Sequence, residues 1–530
     1  MTRRVALPLL LALMLPLLTL AAAVWADNDA NRGVTFAPAD RPIPFADAPR
    51  LGVNAYNLQF EPDPAAVTRT LELAHDLGAR TVRIQMPWED VEIHAKGDFQ
   101  DRRQPGNVRD AWEKYDVIAD ESRRLGLELI VRIDRPPRWA RAATADDPQF
   151  LAGLAENANS TAPPDRFEDF ADFAGAVAAH FKGRIRFYQI WNEPNLSYEW
   201  GWRTPDPERF VALLGVASAA IRAADPQATI LFPSLSPTDG KEPRIAPMSE
   251  LEYLDRAYRA GAAPHFDIMS AQGYGLGQPP DEHRYVRLRW SPRRPLTDLD
   301  RPIDTRIDVS RVVLLHEVML RHGDDKAVWI SEFGYNSAPE GIPNRDAWGP
   351  PVSEAQKGEY LIGQIERARR EWPWLGVMNL WMLRWGGYQQ PDPNDPTQYF
   401  AVVGRNYAPL PSYDALRQFM VGGEVAGVGS HTGDHPALVA DGAGRYTLRF
   451  AGEALRLRAG TIVAIDGAQR APGSSVAGLP LATHSATILA DAPPEFVVSR
   501  AAPSALAWDV ALLLPLLWLV CGCGWLAARR

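Results

Sequence analysis

Cysteine is nearly absent from this chain. Two occur in 530 residues, Cys521 and Cys523, both inside an apolar run near the C-terminus. Elsewhere neither a disulfide framework nor a cysteine-based zinc site can form, so the fold must stand on its core alone. Positive charge is not in excess either: 56 Lys and Arg face 65 Asp and Glu, a net charge of -9 at pH 7. That balance excludes the basic footprint of a nucleic-acid binder, so no nucleic-acid partner is expected. It selects no particular ligand. No internal repeat is visible beyond an alternation of strands and helices. His316-Glu317 lacks the second histidine at helical spacing that a zinc protease requires. His431-Thr432-Gly433-Asp434-His435 lies in a Gly-rich joint and is not read as a metal site. No metal or organic cofactor is expected.

What is present is ordinary globular material, 46% hydrophobic and 23% charged. The length exceeds one compact core, so one large domain with additions is expected. Both ends read as membrane signals. Thr2-Arg3-Arg4 precedes an apolar stretch from Val5 to Val24, and small residues at Val24-Trp25-Ala26 suit signal-peptidase cleavage. Residues 1–26 therefore read as a signal peptide or, with so long a run, an N-terminal anchor. From Val510 to Ala527 nearly every residue is apolar and no amphipathic face is visible, so a transmembrane helix is expected over 509–528. Arg529 and Arg530 follow, which favours a cytoplasmic end and leaves the large domain outside.

Residues 27–49 are an irregular lead-in rich in Ala, Pro and Asp. From Leu51 short apolar runs alternate with helical stretches. Strands are expected at Leu51–Ala55, Thr81–Gln85, Glu128–Ile133, Ile185–Trp191, Thr229–Phe232, Phe266–Ala271, Ala327–Ser331 and Gly376–Leu383. Helices are expected between them, as at Ala65–Leu77, Trp112–Leu125, Phe167–Phe181, Phe210–Ala224, Val309–Arg321 and Glu354–Arg370, with a final one at Ser412–Met420. Eight strand–helix units match an α/β fold of the (β/α)8 barrel type over residues 50–421. A doubly wound sheet should carry a Gly-rich phosphate turn after its first strand, and Asn54-Ala55-Tyr56-Asn57 is not one. After a Gly-rich joint, residues 437–498 show short alternating runs such as Tyr446-Thr447-Leu448-Arg449-Phe450 and are expected to form a small all-β module.

Two expected strands deliver a single carboxylate to their C-terminal ends. The fourth runs into Trp191-Asn192-Glu193-Pro194-Asn195. The seventh ends Ile330-Ser331-Glu332-Phe333-Gly334, where the glycine is expected to permit a sharp turn. A lone carboxylate after an apolar run costs free energy unless it is paired or used. In a barrel this end is the active-site mouth. Two carboxylates across one mouth suit glycosidic cleavage, in which one protonates the leaving oxygen and the other attacks or activates water.

Trp191 to Asn195, paired with Glu332 at the later strand, resembles clan A of the retaining glycoside hydrolases, most closely its family 39-like and cellulase-like members. The resemblance covers residues 50 to 420. It implies that Glu193 is the acid/base and Glu332 the nucleophile. It implies further that Asn192 holds the sugar 2-hydroxyl and that Arg83 orients Glu332. Tyr274 would donate to Glu332, and Trp381 would floor the subsite at the cleaved bond. Trp88 is counted with the substrate-binding residues. Trp139, Trp200, Trp202 and Trp385 are further candidates for stacking on sugar, with packing as the competing role. One position departs from the pattern: many relatives place His two residues before the tyrosine, and here it is Gln272, which would alter substrate contacts. Arg284, Arg287, Arg289, Arg293 and Arg294 lie in the loop after the sixth strand and read as a solvated segment. The expected function is a membrane-anchored glycosidase acting outside the cell on an oligo- or polysaccharide. A glycan-binding protein without catalysis and a transglycosylase are the alternatives.

Overall fold

A computed structural model of the chain describes residues 31–46, 50–55, 58–61, 63–145, 161–280, 307–385, 392, 394–442, 444–502 and 518–519. Eight parallel strands form the central sheet: β1 (Arg50–Asn54), β2 (Thr81–Pro87), β3 (Glu128–Asp134), β4 (Phe187–Ile190), β5 (Thr229–Leu231), β6 (Met269–Gln272), β7 (Val328–Phe333) and β8 (Leu375–Leu380). Their hydrogen-bonded order is β5-β4-β3-β2-β1-β8-β7-β6. The two ends meet where Leu231 bridges Ile268 in parallel and the Phe232 N–H donates to the Ile268 carbonyl at 2.9 Å. The sheet is therefore a nearly closed barrel. Its strands read as apolar runs because both faces are covered; all seven residues of β2 are buried.

Among the described residues, eight helices of ten or more residues surround it: α1 (Pro64–Asp76), α2 (Glu113–Arg124), α3 (Phe167–His180), α4 (Pro207–Ala224), α5 (Glu250–Arg259), α6 (Arg311–Arg321), α7 (Glu354–Glu371) and α8 (Pro411–Met420). Their starts are written locally. Asp63 caps α1 by accepting from the Ala65 N–H at 2.9 Å, with Pro64 in the first turn. Ser353 and Gln356 form a reciprocal capping box at α7. A polar hairpin, Gln100–Gln104 with Asn107–Asp110, adds to the loop after β2.

The lead-in is more than a linker. Phe45 lies at the barrel floor, 6.3 Å and edge-on to Phe187, and its carbonyl accepts from Trp329 Nε1 at 2.8 Å. Ile43, Phe45 and Ala46 pack there with Ile130, Leu231, Ile268 and Val377. Farther back, the Thr35 N–H donates to the Glu371 carbonyl at 3.1 Å, and Ser430 Oγ donates to the Ala39 carbonyl. The lead-in thus straps the barrel floor to the C-terminal region.

That region holds two antiparallel sheets around one core that includes Leu448, Phe450, Leu455, Ile488 and Val498. It begins earlier than expected, since Gly429–His431 in the Gly-rich joint already forms a strand paired with Phe496–Ser499. His431 Nε2 lies 2.9 Å from the Gly427 carbonyl, and its ring sits 5.0 Å from that of Phe496. Among the described residues no helix is long and apolar enough to cross a membrane. The spans expected at 1–26 and 509–528 lie outside the described residues, apart from Trp518 and Leu519, as does the arginine-bearing segment 284–294.

Candidate active site

Glu193 sits just past β4 on a backbone bent out of the strand. Trp191 and Glu193 have φ of 71° and 39°, the left-handed region that L-residues enter at a cost. Neighbouring strand ends hold them there. The Trp191 N–H donates to the Ile133 carbonyl at 2.9 Å, and the Glu193 N–H donates to the Ser234 carbonyl at 2.9 Å. Asn195 exchanges two hydrogen bonds with Ser236, at 2.8 and 2.9 Å. The Trp191 ring is buried, and its Nε1 donates to the Glu199 carbonyl at 2.8 Å.

Glu332 lies inside β7. Gly334 follows it without a positive φ, so the glycine is not there for a turn. A Cβ at that position would stand 2.3 Å from the Trp381 carbonyl oxygen, so close approach of β8 requires it. Arg83, on β2, donates through Nη1 to Glu332 Oε1 at 2.9 Å and to Asn54 Oδ1 at 2.8 Å, while its Nε donates to Gln189 at 2.8 Å. Tyr274 donates its hydroxyl to Glu332 Oε2 at 2.8 Å. Burial first, then the neighbouring Glu332, pushes the Tyr274 phenol well above its ordinary range, which keeps it a donor.

Gln272 joins the two glutamates. The pairing of β6 with β7 shifts register between Ala271 and Gln272, a bulge that sets Gln272 opposite Glu332. Its Nε2 lies 2.5 Å from Glu193 Oε1 and 3.5 Å from Glu332 Oε2. One nitrogen reaches both, so these oxygens are closer than the about 6.5 Å at which inverting spacings begin. Burial, then the charges of Glu332 and Glu199, pushes the Glu193 carboxyl up to about 8.

Asn192 orients through four partners. Its Oδ1 accepts from Arg132 Nη1 at 2.9 Å and Arg83 Nη2 at 3.5 Å, and its Nδ2 reaches Glu199 at 3.0 Å and Glu193 at 3.4 Å. Glu199, on the short turn Ser197–Trp200, is a third site carboxylate that strand-end reasoning misses. Burial raises its carboxyl above the ordinary range against the pull of Arg132 and Arg135. Arg132 and Asp134 also join the site, 2.8 Å apart. These two carried a signal, since charged residues two apart in the buried part of β3, among Leu129, Ile130, Val131 and Ile133, must share one face.

Trp88 does not belong with the substrate-binding residues. Its ring is fully buried, stacked on Phe173 at 5.3 Å and edge-on to Trp139 at 5.4 Å, and it has no face to offer a sugar. Trp200 is likewise core, packed on Trp191. Trp381 and Trp385 are partly exposed past β8, and the Trp381 N–H donates to the Phe333 carbonyl at 2.7 Å.

Residues 46–307 match the model of the cellulase family, glycosyl hydrolase family 5. The chain carries a clan A glycoside hydrolase domain. The matched stretch includes Glu193 and ends before Glu332, which the fold places on the next barrel strand. A segment of 134 residues is 28% identical to Beta-glucosidase 47 of Arabidopsis thaliana, and the chain spans 22% of the length of that relative. Similar solved structures include a family 39 glycoside hydrolase from Bacteroides cellulosilyticus WH2, at 16% identity and TM-score 0.49, covering 86% of this chain and 82% of that one. Another is a family 39 β-xylosidase from Caulobacter crescentus, at 16% identity and TM-score 0.46, covering 80% and 83%.

Proposed function

We propose that the glycosidase works by double displacement, with Glu332 as nucleophile and Glu193 as acid/base, on an oligo- or polysaccharide outside the cell. The observation that carries this reading is the single amide of Gln272 within reach of both carboxylates. Such closeness falls short of the spacing that inversion uses and suits direct attack. Arg83 and Tyr274 aim their donors at Glu332, an arrangement suited to an attacking anion. Glu193 starts protonated. As a Glu332 oxygen bonds to the anomeric carbon, the glycosidic C–O bond breaks and the Glu193 proton passes to the leaving oxygen. Esterification then removes the Glu332 charge, one cause of the raised Glu193 carboxyl, so Glu193 turns into a base. It takes a proton from water, whose oxygen attacks the anomeric carbon and frees Glu332. Asn192, fixed by Arg132 and Glu199, would hold the sugar 2-hydroxyl. The apolar runs at both ends of the sequence, the second followed by Arg529 and Arg530, support anchorage with the barrel outside.

The test is proton NMR of the first product formed by the full-length protein from a polysaccharide panel, beside Glu332→Gln. Retained anomeric configuration, with turnover abolished in the variant, is expected. Inversion, or undiminished turnover by Glu332→Gln, would overturn the assignment. Tight binding of one glycan without turnover by the wild type would point to a binding protein instead.

A further inference from the structure

Of the described tryptophans only Trp202, Trp348 and Trp518 are exposed. Two of these three lie on the loops that follow β4 and β7, the strands that deliver Glu193 and Glu332. Trp202 is 37% exposed and Trp348 40%. Neither is on a loose loop tip. Gly201, at φ +69°, lets the chain pass so close to Ala162 that an added Cβ would stand 2.6 Å from its Cα. Around Trp348 two loops interlock. A Cβ on Gly349 would meet the Leu276 carbonyl oxygen at 2.2 Å, and one on Gly277 would meet the Pro350 carbonyl oxygen at 2.2 Å. Both indoles are thus set on backbone that only glycine permits.

Each also pairs with a tyrosine beside a carboxylate. The Trp348 ring lies 6.1 Å from that of Tyr274, whose hydroxyl donates to Glu332 at 2.8 Å. The Trp202 ring lies 6.0 Å from that of Tyr198, which adjoins Glu199 in the chain and lies within the field of Glu193. Strands β5 and β6 separate β4 from β7 on the closing side, so the two loops leave the barrel at separated points of its mouth.

A pyranose has one C–H-rich face and a rim of hydroxyls. A fixed indole removes that face from water and leaves the rim free for hydrogen bonds. We propose that Trp202 and Trp348 are sugar-stacking platforms on either side of the cleaved bond, so that the substrate is a chain with at least one sugar bound on each side. Trp202 serves the leaving side, because its loop also carries the residue that protonates the leaving oxygen. Trp348 serves the transferred side, next to the tyrosine that holds the nucleophile. The inference rests on the glycosidase reading above.

The test compares two probe types on the full-length protein: glucosyl, xylosyl and mannosyl fluorides, whose leaving group has no ring to stack, and the matching β-1,4 hexasaccharides. On the sugar best turned over by the wild type, Trp202→Ala should lose at least about fivefold in kcat/KM on the hexasaccharide, mostly through KM. The same variant should stay within about twofold of wild type on the fluoride. Trp202→Phe should recover most of the loss, which a misfolded loop would not allow. Trp348→Ala should weaken both probes. Unchanged hexasaccharide kinetics in both alanine variants, or equal loss on both probes in Trp202→Ala, would overturn the platforms while the glycosidase reading stands. A wild type silent on every fluoride and hexasaccharide would count against that reading and the platforms together.

Discussion

Around Glu193, two charges of its own sign and a low-dielectric setting outweigh the hydrogen bond from Gln272 and the pull of Arg132. A general acid works only while protonated, so kcat/KM should fall as pH rises through about 8. Glu199 contributes to that position through its charge. In Glu199→Gln the falling limb should move to lower pH, because one of the causes raising Glu193 is gone. A pH–rate profile of the variant checks this, and a limb left in place would remove Glu199 from the electrostatics of the site. The two glutamates of the pair are legible in sequence because each interrupts an apolar strand at its end. Glu199 is not, since it stands in a turn where a charged residue needs no explanation. Trp88 misleads for the opposite reason: it follows a strand end, but its indole folds back into the core, donating to Glu92 at 2.5 Å.

At the scale of elements, the barrel strands stand out because parallel strands covered on both faces are continuous apolar runs. Helix α5 escapes notice. It has ten residues, and its polar positions outnumber the four apolar ones that it buries. The hairpin after β2 escapes too, since its strands are mostly exposed Arg, Asp and Gln with no apolar alternation to detect. The junction of β7 and β8 is the most exacting contact near the site. Gly334→Ala puts a methyl against the Trp381 carbonyl, a backbone atom that cannot swing aside. A loss of about 1–3 kcal/mol in stability is expected. Displacement of Glu332 should lower kcat as well. Denaturant titration beside turnover measures both, and a variant as stable and active as wild type would show that the strands can part without penalty.

For the whole molecule, the lead-in holds the floor of the barrel while the mouth does the chemistry. Phe45 stands edge-on to Phe187, with the Arg186 guanidinium over its ring at 5.2 Å. Phe45→Ala should cost about 2 kcal/mol. It should leave KM unchanged, since the floor and the mouth are a strand length apart. A shift in KM would mean that the floor reaches the site. Composition alone hid this role, because an Ala-, Pro- and Asp-rich stretch gives no periodic signal even when one aromatic in it closes a core.

The same floor receives the other end of the described chain. Arg500 donates its backbone N–H to the Phe36 carbonyl at 3.1 Å and lies 3.9 Å from Glu371, at the foot of α7. Residues 36 and 500, near the two ends of the stretch from 31 to 502, therefore share one pole, and the carboxylates occupy the other. A long polymer can therefore approach the carboxylates without passing the pole where residues 36 and 500 meet.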